Sequence, residues 1–337
     1  MSTLLIWREK LQKIYAGYSG YILKGLQFLM GLILFALINS NIGFMKIASS
    51  IVCTVGLAAV CTFFPMIVMV MAATVLILVH FYALSLPIAV VAAVIFLIMY
   101  IFYFRFTPRK AWIVLLSAMA FGLKIPFVIP VVFGLLGTPV WIVPAACGIM
   151  GYYMTDFVKG SAAALRNVDA EGLAGSLVSS TKQILGNKEM WLMIIAVMVG
   201  ILVVHVIRTR AVDHAWKIAS ASGAVVCLVI GSVGNIVLKG DLSYVSMIVS
   251  AVIGALLGLV LEFLFFCVDY SRTENIQFED DEYYYYVKAV PKVGVAAPEK
   301  TVKHITEDTG DRSDNTDDIL LTRSLSKELG LEKERHE

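Results

Sequence analysis

Charge is what most of this chain lacks. Between residues 25 and 104 the only Asp, Glu, Lys or Arg is Lys46, too little to coat a water-soluble domain of that length. Cysteine is sparse too. Cys53, Cys61, Cys147, Cys227 and Cys267 sit in apolar runs with no CxxC or Cys/His spacing. That excludes a zinc site of the usual pattern and makes them small buried hydrophobes. Walker A, HExxH, GxSxG and dinucleotide-binding signatures are missing, as is an aspartate pair of the kind used by intramembrane proteases. Catalytic residues, cofactors and metals are therefore not expected, apart from lipid chemistry without a recognisable motif. A formal charge of +2 with no broad basic surface argues against nucleic acid as a partner.

What is present is apolar sequence: 59% of 337 residues are hydrophobic and 15% charged. Mean hydropathy is +0.83. The expected fold class is an all-α, polytopic integral membrane helix bundle whose first partner is the lipid bilayer. About 20 apolar residues are needed per crossing. Candidate spans run 25–40, 44–64, 66–84, 87–104, 112–137, 139–157, 190–207, 219–238 and 243–268. Pro65 and Pro87 predict two tight turns that make the second, third and fourth spans antiparallel neighbours. Residues 1–24 form a basic, aromatic leader. Leu4, Leu11, Ile14, Tyr15 and Tyr18 share a helical face and Arg8, Lys10 and Lys13 lie elsewhere, suiting an interfacial helix or a plain cytoplasmic leader. Loop 159–189 carries Leu165, Val168, Leu173, Leu177 and Ile184 among polar residues, an amphipathic helix pattern.

The segment GLKIPFVIPVVFGLLGTPVWIVPAACG, residues 122–148, holds Lys124 and four of the nine prolines. Pro126 and Pro130 each remove a backbone donor and clash with the carbonyl four residues earlier. Freed carbonyls in hydrocarbon must be buried in protein or meet water, so a broken helix suggests a cavity-lining or gating element. A kinked helix or short hairpin whose lysine snorkels outward is the plainer alternative. If residues 112–137 cross fully there are nine spans. If they dip in and return there are eight, and the charged tail joins the N-terminus in the cytoplasm. The basic residues of the loops hardly separate these paths. The cytoplasmic tail is preferred because an even number of spans with both ends inside is the commoner bacterial arrangement.

In the last span Ser250, Gly254, Gly258 and Glu262 recur every four residues, giving a small-residue packing face that ends in a carboxylate. A charge at membrane depth costs about 2.5–3.5 kcal/mol on insertion scales, so Glu262 and Lys124 are candidates for one polar site on a solute or ion pathway. His80 and His205 read as interfacial residues, Asp156, Asp213 and His214 as solvated or capping, and Asn235 as an interhelical hydrogen-bonding group.

The tail, residues 269–337, is charged and expected to be largely disordered. Two elements stand out as candidate docking sites for a protein partner. Tyr283, Tyr284, Tyr285 and Tyr286 suit a strand, with Tyr283 and Tyr285 on one face and Tyr284 and Tyr286 on the other. Leu321, Leu325 and Leu329 recur along a short helix near 317–331. DYSRTE followed by FEDDEYYYYVKAVPK resembles the juxtamembrane tail of a family of multi-pass membrane proteins from clostridia-type bacteria. The resemblance implies a bacterial cell membrane and carries no chemistry. Two functions therefore stand: a small-solute or ion transporter or channel component with its site near 112–144, or a non-catalytic membrane subunit or scaffold that docks a partner through its tail.

Overall fold

A computed structural model of the chain describes residues 2–165, 173–240, 242–266, 268 and 273–291. These residues form a helical bundle with one appended β-hairpin. In chain order the elements are α1 (Ser2–Ile42), α2 (Ile51–Phe63), α3 (Met66–Leu84), α4 (Leu86–Phe106), α5 (Ala111–Gly122), α6 (Val128–Leu136), a 3-10 turn (Pro139–Trp141) and α7 (Ile142–Leu165). There follow α8 (Leu173–Leu185), α9 (Lys188–Arg208), α10 (Ala215–Leu238), α11 (Tyr244–Phe265), β1 (Glu274–Glu279) and β2 (Tyr284–Ala289). Among the described residues six helical stretches are long and apolar enough to cross a membrane: Ile6–Ile42, Met66–Leu84, Leu86–Phe106, Thr181–Arg208, Ala215–Leu238 and Tyr244–Phe265. Helix α1 breaks at Tyr18, whose backbone leaves the helical region, so the basic leader is set off from the apolar body.

Cross-links between helices fix how the chain runs. We call the end of the bundle holding residues 24–27 proximal and the other distal. Lys24 donates to the Thr62 carbonyl at 2.6 Å, and the Gln27 amide donates to the Cys61 and Phe64 carbonyls at 2.9 and 2.8 Å. Helix α2 therefore returns to the proximal end, where Pro65 leads directly into α3. At the distal end Asn39 donates to the Ala48 carbonyl and to Thr54. His80, fully buried rather than interfacial, joins the same network. Its Nε2 pairs with the Asn39 oxygen at 2.9 Å, and its Nδ1 accepts the Met45 amide at 3.2 Å. That pattern assigns the Nε2–H tautomer. Ser85 alone separates α3 from α4, with Pro87 in the first turn of α4, as the sequence predicts. Thr74 and Tyr100, 2.6 Å apart, mark where these antiparallel helices cross.

Residues 111–137 then turn back on themselves. Trp112, at the start of α5, packs edge-on against Phe133 at the end of α6, with ring centroids 5.7 Å apart, and against Trp141 at 5.1 Å. A straight helix would hold Trp112 and Phe133 about 30 Å apart. The path in which 112–137 passes straight through is thus not the one adopted. Helix α7 runs alongside α5, with Phe121 against Tyr152 and Tyr153, and reaches the distal end, where Lys159 donates to Asn41 at 2.9 Å. The amphipathic loop becomes α8, whose Ile184 is buried in the core shared with α1 to α4. Helices α9, α10 and α11 alternate in direction, and α11 returns the chain to the proximal end. There Lys288 of the hairpin pairs with Asp213, between α9 and α10, at 2.7 Å. Among the described residues α5 and α6 fold back on each other as a hairpin, and residues 273–291 lie at the same end as residues 24–27.

Candidate functional site

The broken segment closes its own backbone. At the end of α5 the Ile125 amide bonds back to the Ala120 carbonyl at 2.8 Å and the Lys124 amide to the Phe121 carbonyl at 3.0 Å. This is the paired Schellman cap, which requires a left-handed residue between helix and exit. Lys124 supplies it, at φ 60°, where glycine is usual. Pro126 follows two residues later and cannot extend the helix. Beyond it the Phe127 amide, first donor of α6, is satisfied by the Ser250 hydroxyl at 2.8 Å. At the far end of α6 the Arg208 guanidinium donates to the carbonyls of Leu135 and Gly137 and lies 5.9 Å from the Trp216 ring. Of the two carbonyls that the prolines displace, that of Pro126 accepts the Ile129 amide at 3.2 Å.

Helix α6 is held by small residues on three neighbours. A Cβ placed on Gly254 would lie 2.9 Å from the Phe127 carbonyl oxygen, and one on Gly258 would strike Ser220 and Val131. Gly200 of α9 faces Pro130, Gly223 of α10 abuts Val204 near Val131, and Gly231 faces the Phe127 ring. Phe127, Val131 and Leu135 are fully buried. The Ser250, Gly254 and Gly258 stripe is thus a packing face, and its partner is the half-helix carrying Pro130. Close approach of backbones is what small-residue stripes permit.

Lys124 and Glu262 do not come together. The Lys124 side chain is exposed, and its carbonyl lies 3.5 Å from the Ser246 hydroxyl in the first turn of α11. Glu262 lies sixteen residues further along the same helix, about 24 Å away along its axis. It is buried at the proximal end, near Lys217 and His214 at the start of α10. Asn235 pins the turn after its own helix, donating to the Leu242 carbonyl and accepting the Leu242 amide. His205 is half-buried near the end of α9, with its Nδ1 unpaired. No group of three His, Cys, Asp or Glu among the described residues is placed to hold a metal ion.

The space that is open lies elsewhere. A half-open cavity of about 100 Å³ lies between α1, α3, α4, α5 and α7. Its walls are mostly aliphatic and aromatic, including Leu34, Ile38, Ile77, Phe96 and Met99, with the small residues Ala73, Ala118 and Gly151 leaving room among them. Inside, Thr74 donates to the Val70 carbonyl, so Tyr100 donates to Thr74. Asn41 and Thr155 line its distal end. The outer leg of the broken segment forms one wall through Val114, Leu115, Ala118 and Gly122. Pro126, Pro130 and Glu262 are not among its lining residues.

At the proximal end the tyrosine run forms half of an antiparallel hairpin. Phe278 faces Tyr285 and Ile276 faces Val287 across the strands, with the Phe278 and Tyr285 rings stacked at 4.8 Å. Tyr284 and Tyr286 point to the other face, as the alternation predicts, while Tyr283 belongs to the turn. Asp280 accepts the amides of Glu282 and Tyr283 and the Tyr285 hydroxyl. These bonds, the Glu282 amide foremost, hold the Asp280 carboxyl below the usual carboxylate range and raise the Tyr285 phenol. Leu321, Leu325 and Leu329 lie outside the described residues.

Sequence reasoning missed Arg208 and the cavity, which is written in small residues scattered over separate helices. The chain matches no protein-family model, no curated protein and no solved structure.

Proposed function

We propose that this is a multi-pass cell-membrane protein of eight crossings and one re-entrant hairpin, which binds a small, mainly apolar solute as a transporter component. The cavity between α1, α3, α4, α5 and α7 carries this reading. A concave space lined by apolar groups with a few polar ones is the ordinary form of a small-molecule site. The proposed solute pathway thus moves from Lys124, which is exposed, and Glu262, which is packed among helix ends, to the outer leg of the same hairpin. Charge supports the orientation. The proximal end bears Arg8, Lys10, Lys13, Lys24, Arg105, Arg109, Lys110, Arg208, Arg210 and Lys217, against Lys46, Lys124, Lys159, Lys182, Lys188 and Lys239 distally. By the positive-inside rule the proximal end is cytoplasmic, and with it the leader and the hairpin.

The test is photolabelling of the full chain in nanodiscs with a six-carbon alcohol bearing a diazirine. Label on α3, α4 and α5 wall peptides is expected, and its loss in Ala118→Trp or the milder Ala73→Leu. Label confined to lipid-facing residues, or persisting in both filled variants, would show that the cavity takes no solute.

A second reading, a membrane subunit that docks a partner through its tail, is favoured by the hairpin alone. Ile276, Phe278 and Val287 are 47, 52 and 42% exposed there, and an isolated two-stranded hairpin is marginal in water.

A further inference from the structure

We infer that the cavity takes a short aliphatic carboxylate of about four to six carbons, its apolar part inside and its carboxylate at the distal rim against Lys159 and Asn41. The inference rests on the solute-site reading above and adds the chemical class. Size sets the first limit. An engineered apolar cavity of about 150 Å³ holds benzene, so a half-open space of about 100 Å³ has room inside for a short chain.

Polarity sets the direction. Of the lining hydroxyls, those of Thr74, Tyr100, Tyr103 and Thr155 are engaged, on the Val70 carbonyl, Thr74, the Pro108 carbonyl and the Tyr152 carbonyl. An anion placed among the mainly apolar walls would lose most of its water for little more than the neutral Tyr152 hydroxyl, which burial penalises heavily. At the distal rim the situation reverses. Asn41 lines the cavity, and its amide oxygen accepts from the Lys159 ammonium at 2.9 Å. That bond orients the Asn41 NH₂ as a second donor beside the ammonium. Lys159 stands one turn beyond Thr155 on α7, and Asp156, on the same turn, is exposed. A neutral amide is a weak partner for an ammonium, and a carboxylate would make a stronger, charge-assisted bond. A cationic solute would be repelled at the same point.

The experiment uses the full chain in nanodiscs, the diazirine alcohol as reporter, and hexanoate, 1-hexanol and palmitate as competitors. Hexanoate should displace label from the wall peptides at about one tenth the concentration of hexanol. Lys159→Gln should remove that advantage while leaving hexanol competition unchanged. If hexanoate and hexanol compete equally in the parent, or Lys159→Gln leaves the ratio intact, the carboxylate assignment is wrong although the apolar site stands. If palmitate alone competes, the site serves a lipid acyl chain and the short-solute inference is overturned. Absence of wall labelling in the parent overturns the solute site itself.

Discussion

Gly254→Ala tests whether the half-helix α6 is seated on α11 as tightly as the geometry says. The new methyl carbon would sit 2.9 Å from the Phe127 carbonyl oxygen, 3.3 Å from its carbon and 3.5 Å from the Val128 Cα. All three are backbone atoms, so no rotamer change relieves the contact, and α11 must move off α6 by about half an ångström. Overpacking of this kind costs about 1–3 kcal/mol. Helix propensity works the other way by about 1 kcal/mol. Gly56→Ala in α2 separates the two effects, because a Cβ there meets nothing within 4 Å. The propensity gain is common to both, so the difference between the variants should be about 1–3 kcal/mol, with Gly254→Ala the less stable. Reversible unfolding in bicelles, followed by tryptophan fluorescence, measures it. Two variants equal within about 0.5 kcal/mol would refute the close seating, and with it the claim that the stripe exists to admit α6.

Two further outcomes follow from polar contacts at the proximal end. Arg208→Ala leaves the Leu135 and Gly137 carbonyls without their guanidinium and should cost about 1.5–3 kcal/mol, with Arg208→Lys recovering part, in the same unfolding assay. Asp280 has its folded pKa depressed, so its contribution to the hairpin is complete above the unfolded value of about 3.9 and disappears as pH falls through the lower folded value. The protection of the amides of residues 274–289, their exchange relative to the intrinsic rate at each pH, should fall on acidification through that window, and Asp280→Asn should flatten the profile; a parent profile already flat would remove the Asp280 turn from the account.

What could be read in advance divides along a physical line. Short-range features were legible: Pro65 and Pro87 as turns, the alternation of the tyrosine strand, and the four-residue recurrence of Ser250, Gly254 and Gly258. Each depends on residues a few positions apart, where local geometry dictates the result. Pairings between distant elements were not legible. Nothing near Gly254 says that its neighbour is Phe127 rather than another protein. His80 looks like a lone interfacial imidazole until the Asn39 and Met45 backbone arrive beside it. A cavity is harder still, because it is defined by what Ala73, Ala118 and Gly151 fail to fill, and those positions lie on three helices.

Lys124 shows how a local signal can be present and still point elsewhere. In a continuous helix from Trp112 its ammonium would sit near mid-membrane, and from that premise a buried partner such as Glu262 follows. The same four residues, Leu123-Lys124-Ile125-Pro126, also suit a helix exit, since proline is common just after a cap and cannot continue the helix. Lysine disguises the exit because the left-handed position usually carries glycine. Backbone strain at one residue is offset by the two capping bonds. The turn places α5 as an outer wall of the cavity and α6 as a buried plug. The premise of a continuous helix fails, and the importance of the segment survives in a different form.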